Sequence, residues 1–143
     1  MSTVQDWSDF RPPRAYPLTT GVLLAATGLL MWTALSVWGG LASPDAFRLR
    51  EAWDAPGYFT VGLPLMALAV AIASFYIPER VWRWPLWLVV GHQAGVLLVG
   101  IGVQSGLSLI LLTLILGVLL TASFAVPALV GSLLARRVIE RAY

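Results

Sequence analysis

The sequence predicts an all-α integral membrane protein, a four-helix bundle with antiparallel neighbours, and three observations carry that expectation. Of its 143 residues, 59% are hydrophobic and only 11% charged, with a mean hydropathy of +0.83, far from the balance of soluble domains. Four apolar segments have the length a helix needs to cross a hydrocarbon core of about 30 Å. They run from Leu18 to Leu41, Tyr58 to Ile77, Pro85 to Val103 and Ser108 to Leu134. Backbone groups in lipid have no water to bond, so each segment must satisfy its own by forming a helix, and the short joints force neighbours antiparallel. The chain reads as one membrane domain over residues 1–143, with an N-tail (1–17), an outer loop (42–57), an inner loop (78–84) and a C-tail (135–143).

Orientation follows from arginine, the only basic residue type present. Arg11 and Arg14 precede the first span, Arg80 and Arg83 lie between the second and third, and Arg136, Arg137 and Arg141 follow the fourth. The opposite side has Arg48 and Arg50 beside Asp45, Glu51 and Asp54. Positive charge concentrates on the cytoplasmic side, which predicts an inner (plasma) membrane protein with both termini inside. The small residues of "SVWGGLASPDAF" after an apolar run resemble a leader cleavage region, but the run exceeds a usual leader core and reads as a retained first span.

The outer loop "SPDAFRLREAWDAPG" has Ser43 to cap a helix, Pro44 at its first position and Pro56–Gly57 to end it, which predicts a short surface helix. In the inner loop, "IPERVWRWPLW", the residues Trp82, Trp84, Trp87, Arg80 and Arg83 read as interface anchors: indoles at headgroup level and guanidinium groups on phosphate. "RPPR" in the N-tail predicts an extended polyproline-type segment.

Within the spans, small residues recur at helix-contact spacing. Gly91 and Gly95 lie four apart, with Gly102 further along nearly the same face. Thr113, Gly117, Thr121 and Ala125 repeat every four residues in the fourth span. Such stripes admit close backbone approach, and the tight "QSG" joint predicts that these two stripes pack on one another. Pro64 and Pro127 predict local bends in the second and fourth spans.

The chemistry available is sparse. His92 is the only histidine, Gln93 is beside it, and no cysteine is present. Counting along the helix places His92 about 10 Å into the third span, near the level of Thr121 and Ser123. Together, His92, Gln93, Thr121 and Ser123 form a candidate polar site for a proton or solute path. His92 is also the one candidate cofactor ligand, for a b-type haem whose second axial ligand another chain must supply. No carboxylate accompanies it in a span, so neither a metal site nor a proton-coupled pump follows from this chain alone. No phosphate loop or hydrolase motif occurs, so no catalytic residue is assigned, and the basic pI reflects flanking arginines rather than a nucleic-acid surface.

The expected function is that of a small non-catalytic subunit of a larger inner-membrane complex, with the bilayer and other membrane subunits as partners and no resident cofactor. Two alternatives remain open at this level: a small oligomeric transporter or channel with its path near His92, and a haem- or quinone-binding anchor subunit of a redox enzyme.

Overall fold

A computed structural model describes residues 16–41, 51–101 and 107–142. The polyproline-type N-tail, the surface helix expected from Ser43, the "QSG" joint and Gly102 lie outside the described residues. Within them the chain is helical, without strands: α1 (Tyr16–Leu41), α2 (Leu63–Tyr76), α3 (Arg83–Ile101) and α4 (Leu107–Ala142). The described part of the segment between α1 and α2 contains a 3₁₀ turn, Ala52–Asp54.

α1 begins at Tyr16–Pro17, where a proline has no intrahelical bond to lose, and ends in the Gly39–Gly40–Leu41 stretch. The threonines inside it are not left polar in hydrocarbon. Thr27 and Thr33 donate to the carbonyls of Leu23 and Leu29 at 2.8 and 2.9 Å, the back-bonding that lets hydroxyls sit in apolar helices.

α2 is entered through one wide π turn, Tyr58–Gly62, in which the Leu63 amide donates to the Tyr58 carbonyl. Pro64 explains the widening: it has no N–H to give, and its ring crowds the carbonyl one turn back. The turn rests on α1, since a Cβ on Gly62 would come within 2.7 Å of Leu35, and one on Gly57 within 2.8 Å of the Trp38 ring.

The sharp turn between α2 and α3 holds Arg80 at φ 55, left-handed backbone that an L residue adopts at some cost. Trp84 closes it. Its indole N–H donates to the Ile77 carbonyl at 3.0 Å, and the side chain is 2% exposed. Trp84 was expected as a membrane-interface anchor and is a core residue instead, because the carbonyl left over at the end of α2 offers its N–H a partner. Trp82 is exposed, and Trp87 is half-buried against Gly21 of α1.

Two helix pairs make the main contacts, α1 with α3 and α2 with α4, and α3 also meets α4. The α1–α3 contact is built from glycines facing bulk. A Cβ on Gly21 would lie 2.7 Å from the Trp87 indole, and one on Gly95 would lie 2.9 Å from Trp32. Gly28 faces the Leu88 carbonyl, and Gly91 faces the Ala25 backbone. Numbers rise together along both helices, so α1 and α3 run parallel. The contacts of Leu35 and Trp38 with Gly62 and Gly57 place the end of α1 at the start of α2, so those two run antiparallel.

Gly91 and Gly95 were expected to meet the Thr113–Gly117 stripe of α4, and they meet α1 instead. The physical reason is size matching: α1 presents Gly21, Ala25 and Gly28 to receive α3, with Trp32 seated over Gly95. On the far side, α4 approaches α2 through Gly131, which faces the Ala71 backbone. α4 continues to Ala142, well past the span expected to end at Leu134. Arg136, Arg137, Val138 and Glu140 are exposed in these last turns, and nothing among them breaks a helix.

Three helical stretches, Pro17–Leu41, Tyr58–Tyr76 and Thr113–Val138, are long and apolar enough to cross a bilayer. Their outward faces are greasy: Leu114, Val118 and Val126 are 63%, 70% and 63% exposed. Apolar side chains presented outward over whole helices indicate a membrane protein, with lipid as the surrounding solvent.

Candidate functional site

His92 is completely buried, and the tyrosine at the head of the π turn reaches it: the Tyr58 hydroxyl lies 3.0 Å from His92 Nε2. Tyr58 is itself 3% exposed. Around this bond stands an aromatic cluster. Trp32 packs edge to face on His92 at 4.8 Å between centroids, on Trp53 at 4.9 Å and on Tyr58 at 5.9 Å, while Phe59 flanks Tyr58 at 5.0 Å. Such edge-to-face contacts are the favoured geometry for rings of opposed edge and face potential. The 3₁₀ turn of the outer loop brings Trp53 onto the cluster, so α1, the loop, the head of α2 and α3 converge on one histidine.

The local sequence explains why His92 turns this way. Successive side chains on a helix are about 100° apart. Gly91 and Gly95 face α1, so His92 falls on the edge of that interface, and Gln93 points to the opposite side. Gln93 accordingly belongs to a second place, the groove between α3 and α4. Leu86, Val90, Gln93 and Leu97 line one wall and Thr113, Gly117, Thr121 and Ala125 the other, around about 790 Å³.

The four residues expected as one polar site are therefore divided. His92 joins Tyr58, Gln93 and Thr121 line the groove, and Ser123 is exposed. The hydroxyls of Thr121 and Ser123 donate to carbonyls of their own helix, those of Gly117 and Leu119, at 2.8 and 2.9 Å. Among the described residues, no group of three or more His, Cys, Asp or Glu side chains stands together to hold a metal ion.

Several buried polar atoms have no hydrogen-bond partner. They include both amide atoms of Gln93, His92 Nδ1 and Trp32 Nε1. The Gln93 amide rests on the wall made by Gly117, where a Cβ would come within 3.4 Å of Nε2. An unpaired amide in an apolar wall costs free energy that a hydrogen-bonding occupant would recover.

Sequence reasoning missed Tyr58, Trp32 and Trp53. The signal available was the demand of a buried imidazole for a partner, since a tyrosine and a tryptophan within spans are among the few side chains able to answer it. Their convergence needed the parallel packing of α1 on α3, which no local pattern states.

The fold and the two sites together define an all-helical membrane protein. No family model, curated protein or solved structure matches the chain, so the functional reading rests on its own residues.

Proposed function

We propose that this protein is a non-catalytic accessory subunit of a larger membrane complex, a four-span bundle that receives a partner's transmembrane helix in its α3–α4 groove. The observation that carries the reading is Gln93: an amide with neither polar atom paired, set in a long apolar groove with Gly117 across from it. A lipid tail has nothing to offer that amide. A helix carrying a hydroxyl, amide or free carbonyl does, and small residues such as Gly117 and Ala125 let it come close. Rotation about the flexible glutamine side chain presents the amide to such a helix.

α3 as the fourth span is supported by its 19-residue length, about 28 Å of helix, and by its parallel course along α1, itself long enough to cross. The excess of arginines beside both termini and in the α2–α3 turn supports a cytoplasmic placement of those segments in an inner plasma membrane. The commitment of His92 to Tyr58 under Trp32 favours a structural imidazole over a haem ligand or a conducting path. Its Nε2 is engaged, and one side of the ring is filled by the indole.

Purification of the tagged chain from its native membranes in mild detergent, with mass spectrometry of the chains that accompany it, tests this reading. A partner in fixed ratio is expected, and Gln93→Leu is expected to weaken its retention about tenfold, the cost of one interhelical hydrogen bond at the upper end of the membrane range. The same substitution leaves the isolated chain as stable as before or more so, because it removes a buried unpaired amide. Recovery of the wild-type chain alone overturns the proposal.

A further inference from the structure

Next to the groove, at the start of α3, lies a smaller open pocket of about 380 Å³ formed by Trp82, Arg83, Leu86, Trp87 and Val90. Its chemistry changes along its length. Arg83 and the Trp82 indole stand at the turn end, and Leu86, Trp87 and Val90 continue along the helix for about 10 Å. The Arg83 guanidinium carbon sits 5.7 Å from the Trp82 ring centre, a cation–π contact that orients the charge without neutralising it. No carboxylate lines the pocket, and no ion pair engages Arg83 among the described residues; Glu79, the acidic residue of the same turn, is exposed and outside the lining.

We propose that this pocket is a binding site for one anionic phospholipid, with its phosphate on Arg83, its glycerol region between Trp82 and Trp87, and the upper part of an acyl chain along Leu86 and Val90. Three features select this occupant. The fixed guanidinium demands an anion, and its planar donor fork suits phosphate oxygens. The indoles are amphipathic side chains of the kind that settle at headgroup level. The apolar track begins next to the charge and runs along the helix axis, so an occupant must be charged at one end and a hydrocarbon along the other.

Its charged end, Arg83 with Trp82, and the Trp87 indole lie outside the lining of the partner-helix groove at Gln93, and the proposal does not depend on that groove. The two adjoin at Leu86 and Val90, which line both.

Native mass spectrometry of the full chain, released from mixed micelles with equal phosphatidylglycerol and phosphatidylcholine of matched chains, tests the proposal. One phosphatidylglycerol is expected to remain bound in preference to phosphatidylcholine. Arg83→Gln should lower its retention about fivefold, the effect of one arginine near an anionic lipid surface. Arg137→Gln removes an equally basic residue that is exposed on α4 and should leave retention unchanged. Val90→Trp, which fills the track, should reduce retention of either lipid while Arg83 stays in place. Equal retention of the two lipids, or equal loss from Arg83→Gln and Arg137→Gln, overturns the site, because either result means that general surface charge and not this pocket holds the lipid.

Discussion

Replacing Tyr58 with phenylalanine removes one oxygen from the centre of the molecule, and its effect can be worked out from the geometry. The ring remains, so its contacts with Trp32 at 5.9 Å and Phe59 at 5.0 Å persist and no ring-sized cavity opens. What is lost is the 3.0 Å bond to His92 Nε2 between two side chains 3% and 0% exposed. The imidazole is left with neither nitrogen bonded, since Nδ1 has no partner to begin with. Leaving a buried polar atom unpaired costs about 1–3 kcal/mol. His92→Leu removes the imidazole altogether, so in that background Tyr58→Phe should cost less, and the coupling in the double-mutant cycle should fall between about 0.6 and 1.7 kcal/mol. Reversible unfolding of the four variants in mixed micelles, followed by tryptophan fluorescence, supplies the cycle. Trp32 and Trp53 report directly on the cluster, each packed on it in the folded state. Tyr58→Phe at wild-type stability, together with strict additivity in the double variant, would refute the reading that this bond ties the head of α2 to α3.

Two further predictions concern close approach and the turn. Gly91→Ala sets a methyl against the Ala25 backbone, which cannot rotate away, and should cost about 1–3 kcal/mol despite alanine's better helix propensity. Gly117→Ala meets only the movable Gln93 amide at 3.4 Å, so it should lie within about 0.5 kcal/mol of neutral or be mildly stabilising; thermal unfolding of both variants in one detergent decides, and equal costs would mean that the third helix's glycines do not seat on the first. Trp84→Phe keeps most of the ring but forfeits the bond to the Ile77 carbonyl at 3.0 Å. It should lower stability by about 1 kcal/mol and speed amide exchange in the α2–α3 turn, and unchanged exchange there would show that the turn closes without it.

What the sequence by itself determined here is what lipid imposes on any chain. Long apolar runs must be helices because the bilayer offers backbone groups no partner, and the described parts of all four expected runs are helical apart from Ile77 at the end of the second, with boundaries near the prolines and glycines that mark them. The start of the helical stretch at Tyr58, whose π turn leads into α2 beside Pro56, Gly57 and Pro64, was legible for that reason. The rotation of each helix about its axis was not. Gly91 and Gly95 announce a close contact without naming the neighbour, and the adjacent stripe Thr113–Gly117 was as plausible a partner in sequence as Gly21–Ala25–Gly28. Packing decided between them, because Trp32 needs Gly95 beneath it and Trp87 needs Gly21. That choice turned His92 toward Tyr58 and Trp32 and left Gln93 in the α3–α4 groove. Two neighbouring residues that read as one polar site thus became a core hydrogen bond and an unpaired amide, because residues about 100° apart on a helix must face different neighbours once one face is buried.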